Sequence, residues 1–215
     1  MKLYCLSGLG ADERVFQHLN LSMFEVIHVQ WIDFIPNESL VSYAHRLGEI
    51  IDDSVPFALM GLSFGGMLAI EIAKQKTPKQ LFLISTMAHV SEKPLRMKVF
   101  GKMGAYNFIP ASYFNKPSKI AYRLFGAKAP SEKKLLDEIL ADNAPKFIKW
   151  ALNAISNWNN TERVKAIRIH GTKDKLFPFH QLKIEHFIQG GGHLMVISHA
   201  AEINEILQKE FYRIQ

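Results

Sequence analysis

Short apolar runs bounded by turn residues alternate along this chain with longer stretches whose apolar positions recur at helical spacing. The runs at residues 2–6, 25–30, 57–62, 80–85, 165–170 and 185–189 predict six buried strands. Between them, residues 39–51 place Tyr43, Leu47 and Ile50 on one helical face. Residues 65–76 and 200–211 predict two further helices, and Thr77-Pro78 is a stop for the first of these. Strands separated by helices are the pattern of a parallel sheet covered on both faces. The alternation breaks between Ser85 and Thr161, a span too long for a loop. There Ser131 is positioned to cap a helix over 132–141, and Pro145 to open one over 146–158, with Ile148, Leu152, Ile155 and Trp158 in phase. The expectation is a single domain whose α/β core, residues 1–86 and 161–215, carries a helical insertion at 87–160.

Composition agrees with this picture and narrows it little. The chain has 215 residues, 48% of them hydrophobic, enough for one sizeable core. Cys5 is the only cysteine, so an intramolecular disulfide and a multi-cysteine zinc site are excluded, and a reducing compartment fits. The apolar start is broken by Ser7 and Gly8 and followed by Asp12 and Glu13, unlike a signal peptide. No run approaches the ~20 apolar residues of a membrane span. A cytoplasmic protein without stable membrane insertion is expected.

The formal net charge of +6 is unevenly placed. Residues 87–159 hold 12 Lys and Arg against 5 Asp and Glu, while the remainder holds 14 against 15. Solvated helix faces are one reading of this basic segment; attraction of an anionic substrate, an acyl carrier or a membrane surface is the other. No nucleic-acid motif accompanies the charge. No paired metal-ligand motif or phosphate-binding glycine loop is present either, so neither metal nor cofactor is expected.

The strongest local signal is Gly61-Leu62-Ser63-Phe64-Gly65, which follows the apolar run 57–62 directly and opens the helical pattern from Met67. Gly-x-Ser-x-Gly between a strand and a helix forms a nucleophile elbow. The turn that projects the serine hydroxyl strains the backbone and leaves no room for side chains two residues either side, where Gly61 and Gly65 stand. The helix after Ser63 aims free N–H groups and its positive dipole end at a developing oxyanion. A glycine-rich turn without catalytic meaning is the plainer reading of such a motif alone, and the flanking strand and helix argue against it.

In these residues the chain resembles the α/β-hydrolase family, whose parts follow in the order serine, acid, histidine. The strand-and-turn segment His170-Gly171-Thr172-Lys173-Asp174 resembles the family's acid-bearing turn, and Gly190-Gly191-Gly192-His193 its Gly-His turn before the last helix. The resemblance implies Ser63 as nucleophile, His193 as general base and Asp174 as the acid that orients the histidine. The family's other acid position reads Ser85-Thr86-Met87, without a carboxylate. Backbone N–H groups of Phe64 and Leu9 are implied as oxyanion donors, the latter from Ser7-Gly8-Leu9-Gly10, with Ser7 in the family's histidine place. Two strands that usually precede the oxyanion strand find no counterpart before Lys2. The fold expected is therefore a three-layer sandwich on a truncated six-stranded parallel sheet, order 2-1-3-4-5-6, with an inserted helical cap.

By this resemblance a serine at the elbow implies acyl transfer to water rather than the aspartate chemistry of epoxide- and halide-processing relatives. Ester, thioester and amide hydrolysis share that chemistry, and a small or medium acyl ester or thioester, anionic substrates included, is the expected substrate. Cap residues Phe100, Met103, Tyr106, Phe108, Tyr113, Phe114, Tyr122, Phe125 and Trp150 are candidates for an apolar acyl pocket, or for packing the cap onto the core. Cofactor-free lyases on carbonyl compounds and triad-retaining ligand receptors of the same family remain open alternatives.

Overall fold

A computed structural model describes residues 1–102, 118–142 and 144–213. Six strands form one sheet: β1 (Lys2–Leu6), β2 (Glu25–His28), β3 (Phe57–Leu62), β4 (Gln80–Ile84), β5 (Ile167–Gly171) and β6 (His186–Ile188). Their order is β2-β1-β3-β4-β5-β6, and every pairing is parallel. This is the order the sequence predicts. The strands at the β2 and β6 edges are shorter than their apolar runs and are paired on one side only, their last partners being Cys5 with His28 and Gly171 with Ile188.

Helices α1 (Leu40–Gly48), α2 (Phe64–Gln75), α3 (Leu95–Lys102), α4 (Lys119–Phe125), α5 (Pro130–Ala141), α6 (Pro145–Asn157), α7 (Met195–Ser198) and α8 (Ala200–Tyr212) complete the described elements. Ser39 caps α1 by accepting from the Ser42 N–H, and the helix ends at Gly48, which leaves Ile50 48% exposed rather than on the buried face with Tyr43 and Leu47. Ser131 is not a cap: α5 starts at Pro130, one residue earlier, because proline's missing N–H is an orphan at that position in any case. Glu132 instead closes the start of α5 by accepting from the N–H groups of Lys128 and Ala129.

The period-two alternation of β1 divides the core. Tyr4 and Leu6 face one side, with Leu59, Phe64, Met67 and Ile72, against α1, α2 and α6. Leu3 and Cys5 face the other, with Met60, Ile84, Ile169 and Ile188, against α7, α8 and the segment Val15 to Phe24. Helix α6 lies in the first of these layers: its Phe147, Trp150, Ala151 and Ile155 share the cluster of Tyr43 and Phe64. Burial pushes the Cys5 thiol up to about 12, so it packs as a small apolar side chain.

Helices α3 to α6 fill the interval between β4 and β5. At its base, Arg168 on β5 donates from Nη1 to Glu92 Oε1 at 2.7 Å, both side chains nearly buried. Burial alone would raise the Glu92 carboxyl, but the guanidinium and the Ala88 N–H hold it below the usual carboxylate range. Next to it, buried Lys93 donates to the carbonyls of Ser156 and Trp158 and so ties the entry of the insertion to its exit. No helix among the described residues is long and apolar enough to cross a membrane.

Candidate active site

The carboxyl ends of parallel strands collect the loops that can carry chemistry. Ser63 follows β3 and holds φ 53° and ψ −114°, a conformation that costs on the order of 1–3 kcal/mol for a residue with a side chain. Its surroundings fix it there. The Ser63 N–H donates to the Ile84 carbonyl at 2.9 Å, and its carbonyl accepts from the Gly66 N–H at 3.0 Å and from Thr86 Oγ1 at 2.7 Å. A Cβ on Gly61 would stand 2.5 Å from the Gly65 carbonyl oxygen, and one on Gly65 2.2 Å from the Ser7 carbonyl oxygen. The two glycines therefore let the elbow fold back on itself and press against the end of β1.

His193 sits on the turn after β6, with 2% of its surface exposed. Its Nε2 lies 2.9 Å from Ser63 Oγ, and its Nδ1 lies 2.7 Å from Asp174 Oδ2. A carboxylate only accepts, so Nδ1 carries the proton of that bond, and in the neutral ring Nε2 is left as an acceptor facing the serine hydroxyl. The imidazole stands between Phe125, at the end of α4, and Phe177, each with ring centroids 5.6 Å away. Leu194 N–H donates to the Phe125 carbonyl at 3.0 Å, and Gly126 adopts φ 77°, with a Cβ there only 3.1 Å from the Gly192 Cα. The end of α4 thus rests directly on the histidine turn.

Asp174 follows β5 and is buried. One oxygen, Oδ1, accepts from the N–H groups of Leu176 and Phe177 at 2.7 and 2.9 Å. The other, Oδ2, faces His193 and also His170 Nε2, 3.2 Å away. Burial alone would raise this carboxyl, but His193 and His170 hold it well below the usual carboxylate range, so it is ionised wherever the protein is folded near neutrality. His170 carries no motif of its own in the sequence; its signal is its place at the carboxyl end of β5, four positions before the acid.

The loop after β1 lies beside the elbow: a Cβ on Gly8 would be 3.7 Å from that of Ser63. Ser7 Oγ donates to the Ala11 carbonyl at 2.6 Å, Trp31 Nε1 donates to the same oxygen at 3.1 Å, and the Ala11 N–H returns to the Gly8 carbonyl at 2.9 Å. These bonds hold the backbone that carries Leu9. Phe64 is the first residue of α2, where helix geometry leaves the N–H without an intrahelical partner. Its side chain is buried against Trp31, Phe147 and Trp150.

Of the residues expected to line a pocket or to pack the insertion onto the core, Trp150 packs into the core, stacked on Phe34 and donating from Nε1 to the Glu38 carbonyl at 2.9 Å. Tyr122 donates its hydroxyl to Asp137. Phe125 does face the site. The side chain of Phe100, and Met103, Tyr106, Phe108, Tyr113 and Phe114, lie outside the described residues.

The profile of the alpha/beta hydrolase family matches residues 3–206, and the chain belongs to that family. Its fold is similar to that of MenH from S. aureus, with a TM-score of 0.75 and 16% identity over 100% of this chain and 94% of that one. It is similar also to a thermophilic esterase from Thermogutta terrifontis, TM-score 0.73 and 16% identity, over 100% of this chain and 90% of the other. A hydrolase from Oleispira antarctica gives 0.72 and 16%, with 100% and 90% covered. No curated relative matches the chain in sequence.

Proposed function

We propose that this chain is a serine hydrolase that cleaves a carboxylic ester or thioester of a small or medium acyl group through an acyl-Ser63 intermediate. The observation that carries the reading is the unbroken hydrogen-bonded line from Ser63 Oγ through His193 to Asp174, with spacings of 2.9 and 2.7 Å. A serine hydroxyl is a poor nucleophile near neutral pH. Nε2 of His193 takes its proton as Oγ attacks the acyl carbon, and Asp174 stabilises the imidazolium so formed. The oxyanion of the tetrahedral intermediate is placed between the N–H groups of Phe64 and Leu9, each such donor being worth roughly 3–4 kcal/mol. The imidazolium then protonates the leaving alcohol or thiol, and water repeats the sequence on the acyl-serine. Residues 87–160 act as the cap, with α4 over the histidine and α6 as the anchor in the core. The esterase and hydrolase among the similar folds agree with this assignment.

The test is hydrolysis of chromogenic esters from acetate to dodecanoate by wild type and Ser63→Ala. Release by the wild type, reduced roughly 10⁴–10⁶-fold in the variant, is the expected result, and its chain-length profile sizes the acyl pocket. Equal release by both proteins overturns the assignment. Carbon–carbon cleavage products without ester turnover would point to a lyase instead.

A further inference from the structure

His170 is a buried titratable side chain that the proposed reaction does not use. Only 2% of it is exposed, and its Nε2 lies 2.8 Å from the Phe177 carbonyl and 3.2 Å from Asp174 Oδ2. A carbonyl and a carboxylate both only accept, so this Nε2 carries a proton and is shared between them. The carboxylate oxygen it approaches is the one that binds His193 Nδ1 at 2.7 Å. Resting on the assignment of Asp174 and His193 above, we propose that His170 is a positioning residue that sets the basicity of His193 through the shared oxygen.

The two imidazoles compete for one carboxylate oxygen. A second donor on Oδ2 draws off part of the negative charge that would otherwise stabilise the His193 imidazolium, which lowers the basicity of His193 and keeps more of the resting enzyme in the neutral form that can accept the serine proton. The sign is the same in either state of His170: neutral, it withdraws through a hydrogen bond, and protonated, it also repels the imidazolium. The Phe177 carbonyl holds the ring in place, while the Leu176 and Phe177 N–H groups hold the other carboxylate oxygen. The carboxylate thus stays anchored from the backbone when the His170 donor is removed. The charged group two residues earlier on the same face of β5, Arg168, is already committed to Glu92. Facing His193 itself are Asp174, the Ser63 hydroxyl and the two phenyl rings.

The experiment follows the histidine rings by NMR in protein labelled with ¹⁵N- and ¹³C-histidine, and needs no substrate. In the wild type the His170 signals, assigned by their loss in His170→Gln, must show a proton on Nε2 at neutral pH; a bare Nε2 overturns the proposal. In His170→Phe and His170→Met the titration of His193 is expected to move upward by on the order of 0.5–1 pH unit, and in His170→Gln, whose amide N–H can reach the same oxygen, to return toward the wild-type value. An unmoved or downward-moved His193 in a folded apolar variant overturns it, since a merely loosened carboxylate would lower that titration. The acid limb of the ester kcat/KM profile should move with the NMR value. Retained turnover in Ser63→Ala would defeat the reaction assignment separately, without altering the titration result.

Discussion

Asp174 is the residue on which burial and charge oppose each other most directly. Its carboxyl is held below the ordinary aspartate range in the folded chain by His193 and His170, against the burial that would raise it. An unfolded aspartate titrates near about 3.9, so the folded state binds the proton less readily. The stability this confers is complete above that value and is lost as the pH falls below it toward the folded value. Urea unfolding of wild type and Asp174→Asn should therefore show a stability gap that is constant from about pH 7 to 5 and shrinks by about pH 3. A gap that does not change with pH would contradict the ionised, paired carboxylate. At neutral pH the same substitution should lower kcat roughly 10³–10⁴-fold, because an amide that accepts through its oxygen lacks the charge that stabilises the imidazolium. At this scale Ser63, Asp174 and His193 are legible in the sequence because each stands in a turn with its own glycine or strand signature, and the structure places them within hydrogen-bond distance. His170 is not legible, because a histidine inside an apolar strand looks like a core residue until the turn beside it is folded.

The elbow is the element whose geometry the sequence dictates most tightly. Gly65 touches the backbone of Leu6 and Ser7, with a Cβ there 2.3 and 2.2 Å from their carbonyl oxygens. Backbone cannot move aside as a flexible side chain can, so Gly65→Ala must push α2 away from β1. A loss of about 3 kcal/mol or more is expected in urea unfolding, with ester turnover falling further than stability alone explains, since Phe64 and the Leu9 loop separate. A loss under about 1 kcal/mol would mean that the two elements are not in contact. The inner strands were legible to within a residue or two because they are apolar on both faces, as β3 is throughout. The expected helix starts also lie within two residues of the observed ones, although the cap of α5 does not: Ser131 has the right chemistry, but Pro130 already fits the first turn. The sequence leaves Trp150 either lining a pocket or packing the insertion onto the core, and the aromatic ring of Phe34 and the carbonyl of Glu38 decide for the core.

Across the whole molecule, the parallel sheet gathers four loops at the carboxyl ends of its strands, and the chain between β4 and β5 leaves and rejoins the sheet at a fixed base. The Arg168–Glu92 pair and Lys93 hold that base together. Arg168→Met leaves Glu92 buried without its partner, and should cost about 3–5 kcal/mol, read as an earlier single transition in urea. Adding Glu92→Leu should recover part of that loss, whereas a single variant as stable as wild type would show that the pair does not hold the insertion. The central claim concerns the whole arrangement, that fold and insertion serve one activated serine. It is tested most directly by intact-protein and peptide mass spectrometry after exposure to a fluorophosphonate, which reacts only with an activated serine hydroxyl. A single adduct on Ser63, absent from Ser63→Ala and formed at least roughly 100-fold more slowly in His193→Ala, is the result predicted. No adduct on folded wild type, or an adduct on a different serine, would contradict the account.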